Sequence, residues 1–172
     1  TPVRVRGLEN ISSTFAFGFG SFGSQDGQFA QPRGVATDAG SVFVADQTNR
    51  VQRFLPDGTL TAVFGATGTG PGQFLGSAGL HAAARRDGTA LYVLDPAAVE
   101  VQKFAIVAPS QNCPPATVEV LSSGARVCFV TRWGNYGSGN GDLASPSGLA
   151  AGTGGEVFVA DAGNHRVQRF VH

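Results

Sequence analysis

The 172 residues repeat themselves, and an internal repeat restricts the folds open to a chain more than any other sequence feature. Three copies share a Gly-rich opening, an Asp at the end of an apolar run, and a closing Val-Gln-x-Phe. The first copy runs from Phe19 to Phe54, the second from Phe64 to Phe104, and the third from Trp133 to Phe170. The closing Phe residues are 50 and 66 residues apart, so the longer interval contains an insertion, at about residues 105–125.

Each copy reads as short strands. Pro32-Arg33-Gly34 opens the apolar pair Val35-Ala36. Ser41 to Asp46 is β-branched and aromatic, too short for a helix, and bounded by Gly and Asp. Arg50 to Phe54 alternates polar and apolar, as a half-buried strand does. Pro56-Asp57-Gly58 is a turn signature, and Thr59 to Gly65 supplies a fourth strand. Four short strands in about 45 residues make one propeller blade. A middle strand apolar on both faces fits blades stacked face to face. The expected fold is therefore all-β: β-propeller blades of four antiparallel strands, three blades per chain, in an incomplete ring. Blade 1 is expected at about 34–65, blade 2 at about 79–133 around the insertion, and blade 3 at about 148–172 without a fourth strand. Residues 13–20 read as a spare fourth strand with no blade of its own.

Composition narrows the function classes. Lys+Arg and Asp+Glu are 12 each, so the chain lacks the basic field that nucleic acid or an anionic membrane attracts. Lys103 is the only lysine, and Arg85-Arg86 with Arg50 and Arg53 make too small a patch for RNA. No apolar run approaches the ~18 residues of a membrane span. Neither a nucleic-acid partner nor membrane insertion is expected. The 13 Phe argue against disorder. The absence of Met reads as a processed chain or a segment of a longer one.

The stretch Val159-Ala160-Asp161-Ala162-Gly163-Asn164-His165-Arg166-Val167-Gln168-Arg169-Phe170 resembles the core of the NHL-repeat propeller family, and Val44 to Phe54 resembles it with one residue fewer. The second copy, Leu94-Asp95-Pro96-Ala97-Ala98-Val99-Glu100, keeps the Asp but has neither Asn nor Arg. The resemblance implies a ring of six blades. Three blades would leave two apolar sheet faces open, and the expected partners are protein: further blades from a second copy, a head-to-tail array, or the rest of a longer chain. It also implies an alternative. Some relatives, the peptidyl-hydroxyglycine lyases, hold a metal by histidines in the central channel, and His81 stands in the aligned copies where Ala36 and Ala150 stand. One His falls short of the three or four ligands zinc takes. The expectation is a non-enzymatic structural or interaction module without cofactor; the alternative is a lyase or lactonase-type enzyme with a metal at His81.

The remaining candidates follow the repeat or sit outside it. Asp46, Asp95 and Asp161 recur at one place and could form a carboxylate ring for a metal. Because they track the repeat with Asn49, Arg50, Asn164 and Arg166, they read instead as braces of the turn between strands, Asx to backbone and Arg to carboxylate. Cys113 and Cys128 flank the insertion with spacing unsuited to a metal site and read as a disulfide. Closing that loop contributes about 3 kcal/mol and points to an oxidising compartment. Asn10-Ile11-Ser12 is a glycosylation sequon, which agrees with an extracellular setting. Gly18 to Gly23 fits G-x-G-x-x-G, but a loop stands after it where a nucleotide site needs a helix. No residue is singled out as catalytic.

Overall fold

Among the described residues, short apolar runs punctuated by Gly, Pro and Asp give strands, with one 3-10 turn at Ala162–Asn164. The computed structural model describes residues 14–38, 40–76, 79–85, 88–108, 110–115, 118–120 and 122–171. Blade 1 is built from β1 (Gly34–Thr37), β2 (Val42–Asp46), β3 (Arg50–Phe54) and β4 (Leu60–Phe64), antiparallel in that order. A parallel pair, β5 (Ala66–Thr67) and β6 (Gln73–Phe74), carries the chain to the next blade. Blade 2 begins with β7 (His81–Ala84), β8 (Leu91–Asp95) and β9 (Glu100–Val107). The insertion supplies β10 (Val118–Val120) and β11 (Ser122–Gly124), and β12 (Arg126–Trp133) returns as the fourth strand of blade 2. Blade 3 is β13 (Pro146–Ala151), β14 (Glu156–Asp161) and β15 (Arg166–Val171), with β15 paired to β14 alone among the described residues.

The first strands β1, β7 and β13 stand side by side, and the ring is not closed. Every residue of β8 is buried, because blade 2 has a neighbour on each face. One apolar cluster joins blades 1 and 2 through Phe43, Val51, Phe64, Leu80, Val93 and Phe104. The other joins blades 2 and 3 through Tyr92, Leu94, Val101, Leu143, Val157 and Val159. At roughly 1.5–3 kcal/mol per buried large apolar side chain, these two seams supply most of the favourable term holding the blades together. The Pro56-Asp57-Gly58 turn forms as the sequence predicts: Gly58 takes a φ of +87°, and the Asp57 carboxylate accepts from the Thr59 amide at 2.9 Å.

The insertion departs from a simple two-stranded excursion. Its strands do not pair with each other. β10 adds to the outer edge of β12, while β11 crosses to the outer edge of β4 in blade 1. The Ala125 amide then donates to the Thr61 carbonyl at 3.2 Å. Two sheet edges that would otherwise be bare are thus capped by one segment, which straps blade 1 to blade 2. Cys113 and Cys128 are joined, tying the start of this segment to β12.

Thr14–Gly20 pairs with no strand among the described residues, and Ser13 lies outside them. Yet the loop leading from it into β1 is built like the connections that leave finished blades. Phe22 bridges Phe29 in parallel, as Thr67 pairs with Phe74 and Tyr136 with Leu143. The amides of Gly23, Gly68 and Gly137 donate to the carbonyls of Phe29, Phe74 and Leu143. Gly20, Gly65 and Gly134, each just after an aromatic residue, take φ of +91°, +111° and +105°. A side chain at Gly134 would also strike the Val99 carbonyl oxygen at 2.7 Å. The segment from Phe19 to Phe29 therefore has the local form of a blade-to-blade connection.

Candidate interaction site

The recurring Asp sits at the end of each second strand and turns its carboxylate onto backbone amides of the preceding connection and, in blades 1 and 2, of the turn that follows it. Asp46 accepts from Ala30 and Thr48, Asp95 from Leu75, Ala97 and Ala98, and Asp161 from Ala144. Burial works against the charge on Asp161. The bonds from the Ala144 amide, Asn164 and Arg166 outweigh it and hold the carboxyl below its ordinary pKa. Arg50 spans Asp46 at 3.3 Å, the Ser24 carbonyl at 2.5 Å and the Gln28 carbonyl at 2.8 Å. Arg166 spans Asp161 at 2.8 Å, Gly139 at 2.6 Å and Asp142 at 2.9 Å.

A third participant is visible in Val-Gln-x-Phe, although the sequence alone does not reveal its role. Gln52, Gln102 and Gln168 each lay an amide across the same loop. Their side-chain oxygens accept from the amides of Gly27, Gly72 and Gly141, at 2.8, 2.9 and 3.0 Å. Their side-chain nitrogens donate to the carbonyls of Gln28, Gln73 and Asp142, at 2.6, 2.8 and 2.6 Å. Each blade thus clamps the connection that precedes it.

Blade 2 reaches the same end with different residues. Glu100 stands where the other blades have Arg, and Arg132 from β12 takes over, donating to the Thr69 carbonyl at 2.5 Å and lying 3.6 Å from Glu100. Burial raises the pKa of Glu100, with Arg132 and the bond from Gln102 acting against that rise. In blade 1 the Asn49 amide bridges to Thr67 at 2.9 Å. Blade 2 has Val99 in that place. Between blades 2 and 3 a crevice of about 760 Å³ opens, lined by Ala98, Glu100, Arg132, Trp133, Asn140 and Asp142.

His81 is not where the aligned copies put it. It pairs with Leu94, as Gly34 pairs with Ala45 and Gly148 with Ala160, so it occupies the Gly34 position and not that of Ala36 and Ala150. Matching the copies by sequence alone misses the register by two residues at the start of this strand. Burial, and then the charge of Arg33, lower its pKa and favour neutral imidazole. Among the described residues no three His, Cys, Asp or Glu side chains are placed to hold a metal ion. Asn10 lies outside the described residues.

The two flanks of the three-blade stack differ. On blade 1 the free face is already half covered, because Phe19 and Phe29 pack on Phe54 at ring distances of 4.9 and 5.6 Å. Near the axis Val35 remains 62% exposed, whereas Ala82, its counterpart in blade 2, is 8% exposed. On blade 3 the free face is open. Strand register makes Phe43, Tyr92 and Phe158 equivalent, and likewise Val51, Val101 and Val167. Phe43 and Tyr92 are 2% and 0% exposed, but Phe158 is 38%; Val51 and Val101 are 0%, but Val167 is 68%. A shallow apolar trough runs over this face between Leu149, Ala150, Phe158, Ala160 and Val167. Patches of this kind on a soluble domain mark contact surfaces.

Residues 143–170, which cover the loop end and all but the last residue of the three strands of blade 3, match the family model of the NHL repeat. No curated protein matches the chain.

Proposed function

We propose that the chain, whose residues 143–170 match the NHL-repeat family model, is a non-enzymatic interaction module of an extracellular NHL-repeat protein, joining further propeller blades through the open flank of blade 3. The observation that supports this is the exposure of Phe158 and Val167 at positions whose counterparts in blades 1 and 2 lie under the next blade. That exposure supports a blade-binding role for this face. The Cys113–Cys128 bond fits an oxidising setting, and no helix among the described residues is long and apolar enough to cross a membrane. A photo-reactive phenylalanine analogue placed at Phe158 in cells secreting the protein tests the reading. The expected adduct is a peptide from a propeller blade. Irradiation that yields no protein adduct, or only adducts to unrelated folds, rules it out.

A further inference from the structure

We propose that the crevice between blades 2 and 3 seats a guanidinium group, the arginine side chain of a partner peptide, anchored on Glu100. The case comes from comparing one place in the three blades. In blades 1 and 3 the third strand opens with an arginine of this chain. Its guanidinium lies across the recurring Asp and two carbonyls of the preceding connection: Asp46, Ser24 and Gln28 for Arg50, and Asp161, Gly139 and Asp142 for Arg166. One carboxylate at the turn meets one guanidinium. Blade 2 keeps the Asp and replaces the arginine by a second acid, since Glu100 pairs with Asp95 as Arg50 pairs with Asp46 and Arg166 with Asp161. Asp95 is buried and bonded to the amides of Leu75, Ala97 and Ala98. Arg132 stands 3.6 Å from Glu100 and donates to the Thr69 carbonyl. One cation therefore faces two carboxylates, and the turn of blade 2 carries a surplus negative charge.

The same changes open the space for a second cation. Ala98 stands where blade 3 has Asn164, each just before the left-handed residue of the turn, and so lacks the amide that in blade 3 reaches the Gly137 carbonyl. The crevice of about 760 Å³ falls within the size range of ligand clefts. All its walls except Phe170 come from the interior stretch 69–142. The Gln102 amide holds one oxygen of Glu100 at 2.9 Å, which fixes the carboxylate, and Glu100 remains part of the wall. Trp133 adds an aromatic surface of the kind on which guanidinium groups stack. Asn135 and Asn140, both exposed, line the wall contributed by the next connection and offer amides to a peptide backbone. The volume exceeds one side chain, so the crevice suits an arginine carried on a peptide. Burial raises the pKa of Glu100, and an entering guanidinium offsets that cost by favouring the charged carboxylate.

Titration of the isotope-labelled chain with the tripeptide acetyl-Ala-Arg-Ala-amide, followed by NMR, tests the seat. Saturable shifts are expected at Glu100, Trp133, Asn135 and Asn140. The citrulline tripeptide, of the same shape but uncharged, is expected to bind at least about tenfold more weakly, as loss of a charge-assisted bond predicts. Glu100→Gln, with its spectrum otherwise preserved, should weaken the arginine tripeptide by a similar factor. Glu100→Arg restores the residue of blades 1 and 3 and should abolish binding; it keeps the test decisive if the Gln variant does not fold. No saturable shift overturns the proposal. So does citrulline binding as well as arginine, undiminished binding to a folded Glu100 variant, or shifts centred on Phe158 and Val167. The crevice is separate from the open flank of blade 3, so its failure leaves the cross-linking result at Phe158, and the function read from it, untouched.

Discussion

Blades 2 and 3 turn the same face toward the trailing end of the stack, with opposite fates. In blade 2, Tyr92, Leu94 and Val101 are sealed against blade 3. In blade 3, Phe158, Ala160 and Val167 hold the same places and line an open face. The difference teaches that exposure here is a property of the neighbour stacked on the blade, since sequence pattern is nearly constant between the two. A large contrast in mutational cost results. Val101→Glu buries an unpaired carboxylate in the seam and should cost more than ~4 kcal/mol, enough to unfold the domain. Val167→Glu in dilute, unassociated protein should change stability by less than ~0.5 kcal/mol. Urea denaturation of both variants measures the contrast. Equal losses would mean that the face of blade 3 is not free in the single chain.

The seams themselves also differ. Blades 1 and 2 are strapped by β10 and β11 and anchored by the Cys113–Cys128 bond, whereas no strand crosses from blade 2 to blade 3 among the described residues. Replacing both cysteines by Ser should cost about 3 kcal/mol, the loop-closure value for this separation. Proteolysis of that variant should begin within 108–125 and loosen the first seam before the second. Cleavage starting elsewhere would show that the strap holds without its covalent tie.

A smaller contrast sits in the glutamine clamps. Gln102 is wholly buried and Gln168 is not. Gln102→Ala leaves the buried Gly72 amide and the part-buried Gln73 carbonyl without their partner and should cost about 2 kcal/mol. Gln168→Ala should cost about half of that, because water can reach its loop. Thermal melts of the two variants would order them, and the reverse order would break the link between burial and clamp strength.

How much of this is legible in the residues depends on whether a side chain acts within its own repeat or across to another. The strand rhythm, the Asp turns and the cysteine pair are local, and Ser41–Asp46, Pro56–Gly58 and Cys113 with Cys128 carry them directly. The clamps act across a blade boundary. Val-Gln-x-Phe shows that Gln recurs, but a polar residue in an alternating strand is also the mark of a solvent face. Arg132 substituting for the Arg missing at position 100 is invisible in the sequence, since it lies 32 residues away on another strand. His81 falls two residues from its expected place because extra residues precede β7, and a gap in a loop cannot be positioned without the strand register. The strap is hidden for the same reason: nothing in Val118–Gly124 says which edge each strand will join.

The finest comparison is between the turns of blades 1 and 2. Each third strand is entered through a residue in left-handed backbone conformation: Asn49 at φ +62° in blade 1 and Val99 at φ +56° in blade 2. Asn tolerates that region, while a β-branched residue there is strained, at roughly 1–2 kcal/mol for an L side chain. Val99 offsets part of the strain by packing against the second seam. Val99→Asn should therefore stabilise the domain by less than ~1 kcal/mol, the backbone relief exceeding the lost contact. The converse change, Asn49→Val, should cost about 1–2 kcal/mol, since it adds the strain and removes the bond to Thr67. Denaturation midpoints of the two variants should move in opposite directions. Movement in the same direction would mean that seam packing, and not backbone conformation, selects the residue that opens the third strand.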